Sequence, residues 1–246
     1  EINIKNRFVK GSLKYVSSLY YIGFEAKKVA TKILENVKPS QIKAFGWPRV
    51  ELWKPTLNHI WNDQVKEIKS RFPYPYIFFC SDFGTNTQHL VDERCIQTEK
   101  RGRKKTKEDI EWFKNDFADN YNNFLEFIEF LSILNEDTDI PNIIVRPHPA
   151  EDHSEWEKKV KNFSKVHIIY EGSVSPWLLA SEGLLHRGCT SSIEAIFSRK
   201  KVAFLSNFAA KNVDSITYKI STKIKDIDSL KVWINKDDEQ LIDNLE

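Results

Sequence analysis

One histidine stands between two prolines in the run Val145-Arg146-Pro147-His148-Pro149. The residues 142–145 that lead into it, of which the last three are apolar, are typical of a buried strand. At the carboxyl end of a parallel strand, side chains point into the crevice where doubly wound sheets bind ligands. The prolines fix the backbone around His148, so its imidazole would be positioned for a phosphate without an ordering cost at binding. The alternative is a histidine whose hydrogen bonds are satisfied within a rigid turn.

A second segment, residues 186–195, has the composition of a phosphate cradle. Gly188 gives a small turn after a predicted strand, and Thr190, Ser191 and Ser192 then open a predicted helix. Free backbone N–H groups at a helix start favour an anion, and hydroxyls can donate further hydrogen bonds to phosphate oxygens. Helix capping accounts for one of these hydroxyls, but not for all three. Thr190, Ser191 and Ser192 are therefore all candidates for binding phosphate.

Three further residues are candidates for binding the ribose and the base of a nucleotide. Glu194 falls in the first turns of the same helix, where its carboxylate could accept hydrogen bonds from both ribose hydroxyls. A carboxylate that merely stabilises the helix start is the alternative. Tyr170 and Gly172 belong to a turn after another predicted strand, and the backbone of this turn could hydrogen-bond the edge of a base.

Asp82 is the nearest candidate for a catalytic carboxylate. It follows the apolar run 76–80 in the turn Ser81-Asp82-Phe83-Gly84, and the alternative is an Asx-type turn in which its side chain only closes the turn. No Asp-x-Asp pair stands in a strand-end turn, and the three cysteines show no C-x-x-C spacing. The sequence therefore predicts a site without a metal, and it predicts no cofactor.

The elements that must position these residues alternate along the chain from Tyr74 onward. Short apolar runs and amphipathic stretches follow one another, as parallel strands and crossover helices do. The pattern predicts strands at 76–80, 142–145, 166–169, 184–186 and 202–205, and helices at 110–131, 155–163, 177–181 and 191–198. A capping box at Thr106 and Asp109 opens the first helix, Pro176 is the first residue of the third, and residues 216–246 add one apolar run and two charged helices. The predicted fold class is α/β with a doubly wound, Rossmann-like parallel sheet.

Residues 1–73 have a different pattern. An aromatic-rich helix is predicted from Tyr15 to Leu34, and Gly46, Pro48 and Arg49 then indicate a tight connection. We interpret residues 1–73 as the remnant of an N-terminal domain or a linker from it, and residues 74–246 as a nucleotide-sugar-binding domain. The chain begins at Glu1 and contains no methionine, so we expect it to be part of a longer protein.

Composition excludes several classes of protein. The 246 residues are 41% hydrophobic and 29% charged, which is typical of a globular chain and excludes disorder. The net charge of +2 is too small for a nucleic-acid binder. No run approaches the ~20 apolar residues that cross a bilayer, and residues 1–10 lack the apolar core of a signal peptide, so we expect a cytoplasmic protein. The basic cluster between Lys100 and Lys107 is either a solvated loop or a contact with an anionic inner-membrane surface or glycan.

The motifs taken together resemble the carboxyl-terminal half of a GT-B sugar-nucleotide enzyme, and more closely the bacterial surface-carbohydrate-biosynthesis family. The resemblance covers most of residues 42–205. It rests on Gly46-Trp47-Pro48-Arg49-Val50-Glu51-Leu52, Val145-Arg146-Pro147-His148-Pro149 with Glu151-Asp152-His153, Tyr170-Glu171-Gly172 with Pro176-Trp177-Leu178-Leu179, and Gly188-Cys189-Thr190-Ser191-Ser192 with Glu194-Ala195.

The resemblance implies a metal-independent glycosyltransferase that moves an acidic sugar from a CMP-activated donor to a surface polysaccharide, or to a glycan or lipid-linked acceptor. A similar His-Pro pair and Ser/Thr pair bind the CMP-sugar phosphate in bacterial sialyltransferases and Kdo transferases. By that likeness His148, Ser191 and Ser192 hold the donor phosphate and Glu194 its ribose. The acidic motif that supplies the base in the sialyltransferases is missing, so Asp82, His148 or a residue of the protein outside this sequence would take the acceptor proton.

Two alternatives stay open. A UDP-sugar 2-epimerase of the same fold also has a His-Pro turn and a Gly-Ser-Glu helix start, so a UDP-sugar is the second candidate donor. A catalytically silent subunit that binds a nucleotide or glycan for a partner enzyme is the other alternative, because the sequence shows no convincing base.

Overall fold

The computed structural model describes residue 8 and residues 11–100, 107–209 and 216–236. The chain forms two compact units, Glu1–Leu52 and Trp53–Glu246. Residues 53–73 thus pack with the second unit. The interpretation of residues 1–73 as a domain remnant or linker stays a prediction, because packing alone does not tell from which domain a segment derives.

The first unit is built on two short parallel strands, β1 (Leu19–Tyr21) and β2 (Ile42–Ala44). Helix α1 (Phe24–Ile33) and the 3-10 helix Pro39–Gln41 connect them, and the 3-10 helix Ser12–Tyr15 precedes β1. The predicted helix from Tyr15 to Leu34 is therefore wrong in its first half. Gly23, with extended backbone, begins α1, and the apolar residues before it pair as a strand because their Leu-Tyr-Tyr sequence suits a pleated surface.

The second unit contains a parallel sheet of six strands. These are β3 (Tyr76–Cys80), β4 (Asn142–Arg146), β5 (Val166–Ile168), β6 (Gly183–His186), β7 (Val202–Leu205) and β8 (Thr222–Ile224). Their order is β5-β4-β3-β6-β7-β8, so the chain runs outward from β3 on one side and then returns to continue outward from β6 on the other. This topology confirms the predicted doubly wound α/β fold, and its switch point lies between β3 and β6.

Helices cover both faces of this sheet. They are α2 (Asn62–Arg71), α3 (Gln88–Lys100), α4 (Lys107–Glu136), α5 (His153–Val160), α6 (Val174–Ala180), α7 (Ser191–Phe197), α8 (Ile216–Lys219) and α9 (Ile227–Ile234), with 3-10 helices at Pro55–Trp61 and Ser206–Phe208. A further 3-10 helix, Pro48–Trp53, begins in the residues of the first unit and ends at the first residue of the second. Helix α3 escaped prediction because its polar residues give no apolar stripe. Asp152 caps α5, which therefore starts two residues before the predicted Glu155.

The alternation of side chains along β3 produces two cores. Ile77 and Phe79 face the core that contains Phe127 of α4 and Trp156 of α5. Tyr76, Phe78 and Cys80 face the other core, which contains Ile68, Trp177 and Leu178. Both faces of β3 are therefore buried, which is why its sequence is apolar throughout rather than alternating.

Two predictions of helix starts need comment. Pro176 is the third residue of α6 and not its first, because the helix begins at Val174. It still lies in the first turn, where its missing N–H has no partner to lose. The predicted capping box at Thr106 and most of the basic cluster between Lys100 and Lys107 lie outside the described residues.

Candidate functional site

The turns that follow β3, β4 and β6 meet in one pocket at the switch point of the sheet. Adjacent strand ends bring them there, because Cys80 pairs in register with both Arg146 and His186. The pocket has a volume of about 340 Å³. Its lining consists of Cys80, Ser81, Asp82, Arg146, Pro147, His148, Pro149, Val174, Gly188, Cys189, Thr190 and Ser191. The structure thus brings together His148, Asp82 and the start of α7, which the sequence singled out separately.

The buried carboxylate of Glu151 holds the turns after β3 and β4 together. Its Oε2 accepts hydrogen bonds from the Ser81 hydroxyl at 2.6 Å and from Trp156 Nε1 at 2.8 Å. Its Oε1 accepts the Gly84 N–H at 3.1 Å, and Oε2 also lies 3.3 Å from the His148 nitrogen. A carboxylate can satisfy several donors at once, since it has only acceptor sites. Glu151 therefore fixes the backbone on which His148 is mounted.

The imidazole of His148 is oriented by its own turn. The Ala150 N–H donates to His148 Nδ1 at 3.1 Å, so Nδ1 is an acceptor and Nε2 carries the proton in the neutral ring. The backbone N–H of His148 donates to the Ser81 hydroxyl at 2.9 Å. The side chain itself is exposed at the pocket. It therefore presents a positioned N–H donor to anything bound there.

The three hydroxyls at the start of α7 divide into two groups. Thr190 and Ser191 line the pocket, and the Thr190 side chain makes no capping hydrogen bond. Ser192 is fully buried, and its hydroxyl donates to the Cys189 carbonyl at 2.9 Å. The structure thus places Ser192 in the local turn rather than among the pocket residues, and the role assigned to it from the sequence stays a prediction.

His186 holds the turn between β6 and α7. It is buried, its Nδ1 accepts the Gly188 N–H at 3.1 Å, and its Nε2 lies 2.8 Å from the Ser221 hydroxyl. Ser221 in turn donates to the Thr217 carbonyl, and the Thr217 hydroxyl donates to the Gly188 carbonyl. Burial lowers the pKa of His186 to about 3, so the ring is neutral and its Nδ1 stays an acceptor.

Asp82 lies against a fully buried arginine. Arg187 Nη1 donates to the Asp82 carbonyl at 3.0 Å and lies 3.5 Å from Asp82 Oδ1, which is buried and accepts no hydrogen bond from the described residues. Arg187 also donates to the Phe208 carbonyl and to Asn120 Oδ1. Burial raises the pKa of Asp82 to about 6, with Glu151 adding to the increase and Arg187 opposing it. The Asx-turn interpretation of Asp82 is wrong, because the Gly84 N–H that would close such a turn donates to Glu151 instead.

Tyr170 and Gly172 are fixed to the pocket through Arg146. The Arg146 guanidinium donates to the Glu171 carbonyl at 2.8 Å and to the Gly172 carbonyl at 2.7 Å, and it lies 5.1 Å from the centre of the Tyr170 ring. Gly172 has a φ of 60°, a conformation that favours glycine. The exposed turn 170–172 therefore has a fixed position next to the pocket.

Glu194 is a residue of α7 and is not part of the pocket lining. Its carboxylate is buried and accepts a hydrogen bond from the hydroxyl of Ser175 on α6. In this conformation the residue ties two helices together, so its assignment to a ribose stays a prediction that requires the Ser175 contact to be exchanged for the sugar hydroxyls.

Sequence reasoning missed three charged residues of this region: Glu151, Arg146 and Arg187. The sequence placed Glu151 and Arg146 inside recognisable motifs but gave no sign of their distant partners: Ser81 lies 70 positions from Glu151, and Glu171 lies 25 positions from Arg146. In the described residues, no group of three or more His, Cys, Asp or Glu side chains could hold a metal ion. No described helix combines the length and apolar character needed to span a membrane.

Neither a protein-family model nor a curated protein matches the chain. Solved structures do match. The wall teichoic acid polymerase TagF gives a TM-score of 0.51 at 14% identity, over 93% of this chain and 52% of TagF. UDP-GlcNAc 2-epimerase from Methanocaldococcus jannaschii, in complex with UDP-GlcNAc and UDP, gives 0.46 at 16% identity, over 90% and 55%. A glycosyltransferase from Rickettsia africae gives 0.44 at 11% identity, over 100% and 61%.

The chain spans little more than half the length of the first two of these structures. At such low identity the likeness to TagF shows the fold. It supports the predicted GT-B-like class, in which a doubly wound parallel sheet forms one half of a larger molecule.

Proposed function

We propose that this chain is the nucleotide-binding half of a metal-independent GT-B glycosyltransferase, which moves a sugar from a nucleotide-sugar donor to a glycan acceptor. One observation carries the proposal. His148 lies about forty positions before Thr190 and Ser191 in the sequence, and all three line the same pocket at the switch point of the sheet. Doubly wound sheets bind their ligands at this point.

The pocket supplies donors for a phosphate that gains negative charge as it leaves the sugar. His148 Nε2 and the hydroxyls of Thr190 and Ser191 are already in place, since Glu151 and His186 fix the turns that carry them. Donors that are fixed before the reaction stabilise developing charge without reorganisation. The nearby Arg146 guanidinium adds positive charge, so these residues can stabilise the phosphate without a metal ion.

Asp82 is the candidate base for the acceptor hydroxyl. Its carboxylate lines the same pocket, and its pKa of about 6 leaves it mostly ionised at neutral pH while keeping it able to take a proton. His148 is the second candidate, but the phosphate contact that we propose for its Nε2 would leave it a binding role instead.

The donor that we propose from the family resemblance is a CMP-activated acidic sugar, with a UDP-sugar as the alternative, and the acceptor is a surface polysaccharide or a lipid-linked glycan. A thermal-shift screen of CMP, UDP, GDP and dTDP separates these donors, because a nucleotide that binds only the native state raises its melting temperature. No stabilisation by any of the four nucleotides would contradict the nucleotide site.

Calorimetric titration of the nucleotide found in this way tests the site. His148→Ala and Ser191→Ala should each weaken binding by about 10- to 100-fold, because each removes a hydrogen bond to a charged group worth roughly 1.5–3 kcal/mol. His89→Ala, which removes an exposed imidazole of α3, is the matched control and should leave the affinity unchanged. Unchanged affinity in both site variants would contradict the assignment.

The two rival functions have separate tests. An epimerase would release free ManNAc from UDP-GlcNAc. A catalytically silent subunit would release neither CMP nor UDP when both donor and acceptor are present, whereas the proposed transferase requires the acceptor for full nucleotide release.

A further inference from the structure

Positive charge is concentrated in the first compact unit. Residues 1–52 contain ten Lys and Arg against four Asp and Glu, whereas residues 53–246 contain the remaining 27 Lys and Arg against 31 Asp and Glu. The first unit therefore has a net charge of +6 and the second a net charge of −4, although the whole chain is nearly neutral. Such an asymmetry indicates an anionic partner for the smaller unit.

One face of this unit exposes large apolar side chains. Tyr20, Ile22 and Phe45 are 60%, 62% and 66% exposed. Tyr20 and Phe45 pack edge to face at 5.5 Å between ring centres, and with Trp47 and Pro48 these residues line a shallow pocket of about 450 Å³. We call Tyr20, Ile22, Phe45 and Trp47 the aromatic face. Its size is unusual, because exposed apolar residues normally occur singly.

The strand pairing explains why these side chains point outward. Leu19 and Tyr21 of β1 and Ile42 of β2 pack inward against α1. Successive side chains of a strand point to opposite faces, so Tyr20 and Lys43, which follow Leu19 and Ile42, point outward. Tyr20 pairs in register with Lys43, whose ammonium lies 5.7 Å from the centre of the Tyr20 ring. Lys43 therefore lies beside the Tyr20 ring on the aromatic face.

We propose that the aromatic face binds the surface of an anionic phospholipid bilayer. Aromatic and aliphatic side chains insert at the level of the lipid headgroups, and lysines beside them pair with anionic lipids. Lys43 meets this requirement on the face itself, and the remaining positive charge of the unit supplies the long-range attraction. The proposal concerns a surface outside the phosphate pocket and does not depend on the proposed reaction.

Co-sedimentation of the full chain with lipid vesicles tests the proposal. The protein should bind vesicles of phosphatidylglycerol and phosphatidylcholine, should bind pure phosphatidylcholine far more weakly, and should dissociate at high salt. The double variant Tyr20→Ser/Phe45→Ser should bind at least about tenfold more weakly, because it removes the two highly exposed aromatic side chains of this face. Lys43→Glu should cost at least about fivefold, since each lysine near such a surface is worth about 1 kcal/mol.

Matched control variants come from the second unit. Ile133→Ser removes an aliphatic side chain that is comparably exposed on α4, and Lys161→Glu reverses an exposed charge. Both should bind the anionic vesicles as the unmodified protein does. Circular dichroism melting of every variant separates loss of binding from loss of folding, and Lys43→Glu, whose side chain is exposed, keeps the test valid if the double serine variant unfolds.

Three results would overturn the proposal. The first is equal binding to neutral and anionic vesicles, and the second is undiminished binding by the double serine variant. The third is a dimer in sedimentation velocity that the double serine variant dissociates, since the aromatic face would then be an interface between two copies of this chain.

Discussion

The hydroxyl of Ser81, just after β3, donates a 2.6 Å hydrogen bond to the buried carboxylate of Glu151, which follows β4. The same hydroxyl accepts the backbone N–H of His148. The two strand-end turns are thus joined by one carboxylate through a serine, and the position of the His148 imidazole depends on this link. A hydrogen-bonded carboxylate in this place positions the site without contacting the ligand itself.

Replacing Glu151 by Gln should therefore destabilise the protein as well as weaken nucleotide binding. The amide would place an N–H₂ group among four donors, from Ser81, Gly84, His148 and Trp156, so at least one buried donor loses its acceptor. An unsatisfied buried donor costs about 1–3 kcal/mol, and the free energy of unfolding in urea should fall by this amount. Glu157→Gln, an exposed change on α5, is the control and should stay within about 0.5 kcal/mol of the unmodified protein.

Asp82 should make stability depend on pH in a direction opposite to that of an ordinary carboxylate. Its pKa is raised from 3.8 to about 6, so the folded state holds the proton more tightly than the unfolded state. The stabilisation is complete below the unfolded pKa and is lost as the pH rises through the folded pKa. The difference in unfolding free energy between the unmodified protein and Asp82→Asn should therefore fall by about 2 kcal/mol from pH ~4 to pH ~7.

Urea unfolding of both proteins across this pH range measures the difference. Because the other titrating groups are common to both proteins, their contributions cancel. A difference that stays constant would show that folding does not shift the pKa of Asp82. A difference that rises with pH would show that the folded protein stabilises the ionised form of Asp82, as an ion pair with Arg187 would do.

Much of the second unit was predictable because its strands are apolar along their whole length. The strands β3, β4, β6 and β7 lie where their runs of Val, Ile, Leu and Phe placed them, since apolar runs of four or five residues are too short for a buried helix and are typical of strands buried on both faces. The run Leu19-Tyr20-Tyr21-Ile22 was different. It stands next to a true helix, and its exposed Tyr20 and Ile22 made a strand with one open face look like part of an amphipathic helix.

Residues of the candidate site could be predicted where a local sequence motif indicates them, but not where their position depends on the packing of distant elements. His148, Thr190 and Ser191, which line one pocket, could be singled out as candidates from the sequence because prolines and hydroxyls that follow strands have a local meaning. The burial of Ser192 and the contact of Glu194 with Ser175 depend on how α6 packs against α7. The roles of Glu151 and Arg187 depend on partners far along the chain, which no local pattern shows.

Gly183 leaves no room for a side chain at the start of β6. A Cβ there would lie 2.9 Å from the Lys201 carbonyl oxygen and 2.7 Å from Lys201 Cγ, and 3.0 Å from the Trp233 ring. The lysine side chain can move, but the carbonyl belongs to the backbone next to β7. Gly183→Ala should therefore lower the unfolding free energy by about 1–3 kcal/mol, as overpacking does. A denaturation midpoint equal to that of the unmodified protein would show that β6 and β7 can move apart to make room for the methyl group without loss of stability.

Two substitutions of His186 can distinguish its role in positioning the Gly188 turn from its general contribution to stability. In His186→Asn, the side-chain amide can reach the place of Nδ1 and accept the Gly188 N–H, whereas in His186→Gln it reaches the place of Nε2 and keeps only the contact with Ser221. Both variants lose a buried ring and should lose similar stability. If the Gly188 turn must be held for Thr190 and Ser191 to meet a phosphate, only the glutamine variant should bind nucleotide about tenfold more weakly, because it leaves that N–H without its acceptor.

Calorimetry on the two variants measures the difference in affinity, and amide hydrogen exchange at Gly188 reports the turn directly. Exchange should be fast in His186→Gln and slow in His186→Asn, even if the pocket binds no nucleotide at all. Equal exchange in both variants would show that the turn is held by the hydroxyl of Thr217, which donates to the Gly188 carbonyl, rather than by His186.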